Sequence, residues 1–271
     1  MKKTVIIIGH SHASCLKAAL KKNIYCPRNP FIKFVPAAIG SRAFIGGLIT
    51  FDAHGNMMPN PIIQKCISAH AKDNARDIWL LSVLGGNYSN RLGLFQDGPL
   101  YDINLPSQEF MENREETISE LGAAHRAFVP YDAIINVYEK LYSEIKSLFK
   151  VLQQQRVKGI MHVSGPSPIP DETYIRENLP ANLVKRARKI DPENELIINP
   201  ISLRMKLWTC ECDAVKKICK ETSVHYIHQP EDAIGPDNFR KSETYADVLH
   251  GSPLYGAMAL EKVETFLETY N

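Results

Sequence analysis

The chain has 271 residues, 44% of them hydrophobic and 23% charged, an ordinary globular balance with length for one large domain or two small ones. Its 32 basic and 30 acidic residues leave a formal charge of +2, which gives no electrostatic reason to expect nucleic acid or an anionic membrane as the main partner. No apolar run approaches the roughly 20 residues that span a bilayer, and the run 5–8 is too short for the core of a signal peptide. The expectation is a cytoplasmic protein with no membrane insertion.

In chain order, the pattern predicts a strand over 4–8, a helix over 12–22, a strand over 32–37, a helix over 61–74 and a strand over 77–84. A helix follows over 131–155, a strand over 159–163, a helix over 202–222, a strand over 223–227 and a last helix from about 256 to 270. The strands are short and mostly apolar, as strands buried on both faces are. Alternating β and α units predict a parallel sheet with right-handed crossovers and helices on both faces. No repeat, low-complexity tract or linker divides the chain, so residues 1–271 are read as one domain.

The stretch 87–130 is long for a β-α connection. Its segment SQEFMENREETISEL predicts a helix over 107–121. The excursion, residues 88–130, is either a surface feature or a cover over the functional site. The prolines of SGPSPIPDE make 164–172 a stiff loop. FDAHGN, with Asp52 and His54, reads as a polar loop. The six cysteines, Cys15, Cys26, Cys66, Cys210, Cys212 and Cys219, are too few for a disulfide scaffold. Cys210, Cys212 and Cys219 fall in a helical pattern with no nearby histidine, which predicts buried thiols rather than a zinc site.

In open α/β sheets, ligands bind beyond the carboxyl ends of the strands. Gly9-His10-Ser11 follows the first predicted strand, Gly40-Ser41 the second and Gly85-Gly86-Asn87 the third. Asp247-Val248-Leu249-His250 precedes the last helix. This set is complete for acyl transfer. A serine hydroxyl needs a base to take its proton, and His250 is the candidate. An imidazole needs a partner to fix its tautomer and stabilise its cation, and Asp247 is the candidate. The oxyanion needs donors; the N–H of Ser11, the N–H of Gly40 and the Asn87 amide are suitable.

On these residues the sequence resembles the SGNH hydrolases, also called the GDSL esterase/lipase superfamily. Gly9-His10-Ser11 stands for the family's Gly-Asp-Ser, and Gly40 for its second-motif glycine, with Gly46 or Gly47 as the alternatives. Gly85-Gly86-Asn87 stands for Gly-x-Asn, and Asp247-Val248-Leu249-His250 for Asp-x-x-His. Two departures are His10 in place of the usual aspartate before the serine, and Tyr88 in place of the usual aspartate after the asparagine. The resemblance implies a flavodoxin-like, three-layer α/β/α sandwich with about five parallel strands. It also implies a metal-free, cofactor-free serine hydrolase with Ser11, His250 and Asp247 as its triad. The substrate expected is a small-molecule or glycan acyl ester, a carbohydrate O-acetyl ester among the candidates.

Competing readings attach to the same residues. Ser11 could serve only as a helix N-cap, Asn87 as a turn residue, Gly40, Gly85 and Gly86 as carriers of unusual backbone angles, and Asp247 and His250 as a turn cap and a surface histidine. His10 and His12 form H-x-H at a strand end, which fits a metal-dependent hydrolase on a (β/α)₈ barrel. Five strands rather than eight speak against that barrel. Ala13 stands where the nucleophile elbow of an α/β-hydrolase needs its second glycine. A third reading keeps the fold as a non-catalytic binding module. The sequence carries no clear signal of oligomeric state.

Overall fold

The computed structural model describes residues 2–40, 44, 46–71, 76–86, 88–96, 101–106, 127–190, 193 and 196–270. The opening apolar run is strand β1 (Lys2–Gly9). Val5 and Ile7 pack on one side of the sheet and Ile6 and Ile8 on the other, all without exposed surface. Side chains alternate along a strand, so a strand covered on both sides must be apolar at every position.

Then come α1 (Ala13–Lys21), β2 (Ile32–Ile39), β3 (Ile49–Phe51), β4 (Met57–Pro59), α2 (Pro61–Ala71), β5 (Arg76–Val83) and α3 (Tyr88–Gly93). They are followed by β6 (Tyr101–Asn104), β7 (Ala127–Pro130), α4 (Tyr131–Leu141), α5 (Ser143–Leu152), β8 (Gly159–Val163), α6 (Glu172–Glu177) and α7 (Ala181–Ile190). The chain closes with α8 (Ile201–Glu221), β9 (His225–Ile227) and α9 (Pro253–Thr269).

The main sheet has the order β2-β1-β5-β8-β9, every neighbouring pair parallel. Counted among the sheet's own strands, this is 2-1-3-4-5, the flavodoxin-like order. Helices α1 and α9 cover the side of Val5, Ile7, Trp79, Leu81 and Met161. Helices α2, α5 and α8 cover the side of Ile6, Ile8, Leu80 and Ile160. The result is a three-layer α/β/α sandwich with five parallel strands, as expected. Helices α1 and α9 approach closely because Gly256 has no side chain: a Cβ there would lie 2.3 Å from Cys15 O.

The departures from the predicted elements follow from packing and hydrogen bonding. The helix expected over 131–155 is two helices, broken at Tyr142. The halves serve different cores: Ile135 and Tyr138 of α4 pack with Ile103 and Leu207, while Ile145, Leu148 and Phe149 of α5 pack on the sheet. Helices α6 and α7 follow the proline-rich loop unannounced, α6 beginning where the Asp171 carboxylate accepts the N–H of Tyr174 at 2.9 Å. FDAHGN is the polar loop expected, but the strands it joins, the antiparallel β3–β4 hairpin, were not; Asp52 Oδ1 accepts the N–H groups of His54 and Asn56. The helix expected over 107–121 lies outside the described residues, between the parallel pair β6 and β7. All six cysteines are free, with Cys15, Cys210, Cys212 and Cys219 buried.

His162, on β8, is 2% exposed and its Nδ1 lies 3.0 Å from Ser82 Oγ on β5. Burial pushes its pKa from 6.5 down to about 4. The unfolded chain therefore takes up a proton near pH 6.5 that the folded chain refuses until about pH 4. The stability held by the neutral ring is complete above that range and is lost as the pH falls through it. At 1.36 kcal/mol per pKa unit, the loss is about 3 kcal/mol. Urea unfolding at about pH 7 and about pH 4 should show this loss in the wild type, and His162→Gln should remove that part of the slope.

Candidate active site

Between β1 and α1 the chain makes a tight turn. His10 O accepts the N–H of Ala13 at 3.1 Å, and Ser11 O accepts that of Ser14 at 3.0 Å. These are i→i+3 bonds of the type that often opens a helix. His12, not Ser11, occupies the N-cap, and no side chain caps the helix. Ser11 is exposed, and its N–H has no acceptor among the described residues. A capping role for the Ser11 hydroxyl is therefore not what the turn uses.

The two flanking histidines face different neighbours. The His10 ring meets Phe44 edge-on, centroids 5.2 Å apart. Burial pushes its pKa down, against the pull of Glu144. His12 is 3% exposed and its ring lies 5.0 Å from that of His250. Among the described residues no three metal-ligating groups converge. His12 thus forms a wall against which the His250 imidazole packs.

The Asp247–His250 pair is formed. His250 Nδ1 lies 2.8 Å from Asp247 Oδ2 and 3.0 Å from Oδ1. Asp247 Oδ1 also accepts the N–H groups of Leu249 at 2.7 Å and His250 at 2.8 Å. Partial burial works to raise the Asp247 carboxyl, but the hydrogen bonds from His250 and Leu249, with the charge of His250, outweigh it and bring its pKa down to about 2. A carboxylate that stays ionised holds the proton on Nδ1 and leaves Nε2 as the acceptor. His250 Nε2 is buried and has no hydrogen-bond partner among the described residues. No bond to Ser11 Oγ is formed. In enzymes, the hydrogen bond between a nucleophile and its base is often long until substrate binds.

The loop that carries this pair is tied down on several sides. Ala246 donates to His250 O at 3.1 Å, and Ser252 N donates to Thr244 O at 2.7 Å. Arg240, 3% exposed, reaches His250 O at 3.4 Å, and its guanidinium lies over the Tyr245 ring. Ser252 caps α9 through the N–H of Tyr255.

The loop after β5 joins the same edge. Gly85 and Gly86 have φ of +76° and +82°, a region that L side chains rarely adopt. Gly86 packs against Gly165 of the loop after β8: a Cβ on Gly165 would lie 2.5 Å from Gly86 O. A Cβ on Gly86 would lie 3.5 Å from the His12 ring. Asn87 lies outside the described residues, as do residues 41–43 and 45.

Of the second-motif glycines, Gly40 and Gly47 have committed N–H groups. Gly40 donates to Gly9 O at 2.9 Å and Gly47 to Phe44 O at 3.0 Å. The Gly40 N–H reaches an oxyanion only by sharing its proton with the sheet. Gly46 has the same positive φ, +90°.

Four residues escaped the sequence reading: His12 as a wall for His250, Arg240, and two helix carboxylates. Glu144 on α5 accepts the N–H of Leu48 at 2.6 Å, and Glu211 on α8 accepts those of Tyr88 and Ser89. Glu211 did carry a signal. It stands four residues from Leu207 and from Val215, both buried, so the helical period places a carboxylate on the apolar side.

No protein-family model matches the chain. No curated protein matches it either. Solved structures do. The periplasmic domain of a lipopolysaccharide acetyltransferase from Salmonella ser. Paratyphi A is similar at 11% identity and a TM-score of 0.47, over 99% of this chain and 85% of that one. A carbohydrate acetylesterase from Sinorhizobium meliloti is similar at 11% identity and a TM-score of 0.40, over the whole of both chains. A catalytic mutant of an acetylxylan esterase from Geobacillus stearothermophilus is similar at 14% identity and a TM-score of 0.40, over 98% and 93%. Among the described residues no helix is long and apolar enough to cross a membrane.

The Asp247–His250 geometry predicts a specific spectroscopic result. In ¹⁵N-labelled protein the Nδ1 proton of His250 should exchange slowly and resonate far downfield. Asp247→Ala should abolish that signal while leaving the resonances of His162 in place.

Proposed function

We propose that the chain is a serine hydrolase of SGNH type that acts on an ester-linked acyl group. Ser11 attacks the acyl carbon. His250 Nε2 takes the serine proton and then delivers it to the departing alcohol. Water, activated by the same nitrogen, releases the acid and restores Ser11. Asp247 holds the imidazole tautomer throughout and stabilises the imidazolium. The Ser11 N–H and the Asn87 amide donate to the oxyanion. The second-strand loop adds its donor from Gly46 in preference to Gly40, whose N–H already bonds Gly9 O.

One observation carries this reading. A half-buried imidazole is fixed by a carboxylate on one nitrogen, has a buried second nitrogen with no partner among the described residues, and packs on the residue next to Ser11. A structural histidine would have its second nitrogen satisfied. The metal reading loses ground because His10 and His12 turn to different neighbours, Phe44 and His250.

The substrate is proposed to be a small-molecule or glycan ester, with carbohydrate O-acetyl esters the first class to assay. In this reading residues 1–271 form a single domain of a cytoplasmic protein. No metal or cofactor enters the proposed reaction.

A fluorophosphonate probe should label wild-type protein at Ser11, and Ser11→Ala should not react. Asp247→Asn should lower kcat by a factor on the order of 10⁴. Asn87→Ala should lower it about 10²- to 10³-fold. Unlabelled wild type, with ester turnover unchanged in Ser11→Ala, would sink the serine mechanism. Turnover that disappears with a chelator and returns with zinc would move the assignment to the histidine pair. Tight glycan binding without any ester turnover would make the chain a binding module.

A further inference from the structure

We propose that Glu211 is a positioning residue for the loop after β5, acting with Tyr142 to hold the residues on both sides of position 87 where an oxyanion donor must stand. This rests on the serine-hydrolase reading. Glu211 lies in the middle of α8, more than a hundred positions along the chain from the loop, and is 3% exposed. Its Oε1 accepts the N–H of Tyr88 at 3.1 Å and the hydroxyl proton of Tyr142 at 2.7 Å. Its Oε2 accepts the N–H of Ser89 at 2.9 Å. The Tyr142 oxygen in turn accepts the N–H of Gly86 at 2.7 Å. One carboxylate therefore holds Tyr88 and Ser89 directly, and Gly86 through a single hydroxyl.

Packing alone does not account for a carboxylate here. Leu207 and Val215, one turn away on either side, are buried apolar residues. A buried carboxylate is costly unless every lone pair that faces the interior is satisfied. Glu211 is bonded on both oxygens, to two backbone N–H groups and to the Tyr142 hydroxyl. The first N–H groups of a helix have no partner within the helix; at α3 Glu211 supplies one to the N–H groups of Tyr88 and Ser89. Burial, followed by the charge of Glu211, pushes the Tyr142 hydroxyl well above its ordinary range, so it stays protonated and can donate while it accepts. The chain of bonds ends at the active edge. Gly86 packs on Gly165 and lies against His12, whose ring meets His250. Gly85 has no room to relax either: a Cβ there would lie 2.5 Å from the Tyr142 ring.

The test compares three variants with the wild type on p-nitrophenyl acetate, alongside the rate of fluorophosphonate labelling at Ser11. Glu211→Gln turns an N–H₂ toward a backbone N–H. Tyr142→Phe cuts the link to Gly86 and leaves Glu211 bonded to Tyr88 and Ser89. Tyr138→Phe is the control: it removes a fully buried hydroxyl that has no partner among the described residues. Misplacing a catalytic group by about 1 Å can cost about 100-fold. Glu211→Gln and Tyr142→Phe should thus lower kcat about 10- to 100-fold, keep KM within about twofold, and slow labelling by the same factor as kcat. Tyr138→Phe should match the wild type. Where Glu211→Gln does not fold, Tyr142→Phe decides. Wild-type kcat and labelling in Tyr142→Phe would overturn the positioning role and leave the serine mechanism standing. A loss that appears in KM, or only in melting temperature, would also overturn it. A wild type that is never labelled would overturn both.

Discussion

At Gly9 the first strand is paired on both sides at once, with Ile39 of β2 and Val83 of β5. The approach to β5 is close: a Cβ on Gly9 would lie 2.6 Å from Val83 O and 2.7 Å from Ala13 Cβ. Only glycine lets the strand end there and turn at once into α1. The turn residues His10, Ser11 and His12 are thereby set at the carboxyl edge of the sheet, between the loops that leave β2 and β5. A parallel sheet gathers its loops on one edge, and the tightness at Gly9 decides where on that edge the serine stands.

Around this point the polar groups are held by charged residues from two helices and from the last loop. Glu144 anchors the loop after β2 through Leu48, and Glu211 anchors the loop after β5 through Tyr88, Ser89 and Tyr142. Asp247 organises its own turn and the ring of His250 together. Arg240 closes the last loop from beneath. These charges form a hydrogen-bonded polar rim at the edge of an apolar core. The His12 ring completes it by filling the space between His250 and Gly86.

Much of this was legible in the sequence, and the reason differs from element to element. The strands stood out because both of their faces are buried, as in Val5–Ile6–Ile7–Ile8. Helices α6 and α7 did not, because Asn178-Leu179-Pro180 interrupts them and their surfaces are charged and largely exposed. Asp247 and His250 were readable as a pair because their contact spans three residues. The partners of Glu211 and Tyr142 were not, because their bonds to the loop after β5 reach across 56 positions or more and no local pattern announces that loop. His10 has a local account: its ring packs edge-on against Phe44 and is kept toward its neutral form by burial.

The central claim is that Ser11 becomes acylated during turnover. It is tested most directly by mixing the protein with an activated acetyl ester, quenching in acid within one turnover, and mapping the peptides by mass spectrometry. The account predicts one acetyl group, carried by Ser11 and absent from Ser11→Ala. Ester cleavage that leaves Ser11 unmodified, and that proceeds equally well in Ser11→Ala, would contradict it.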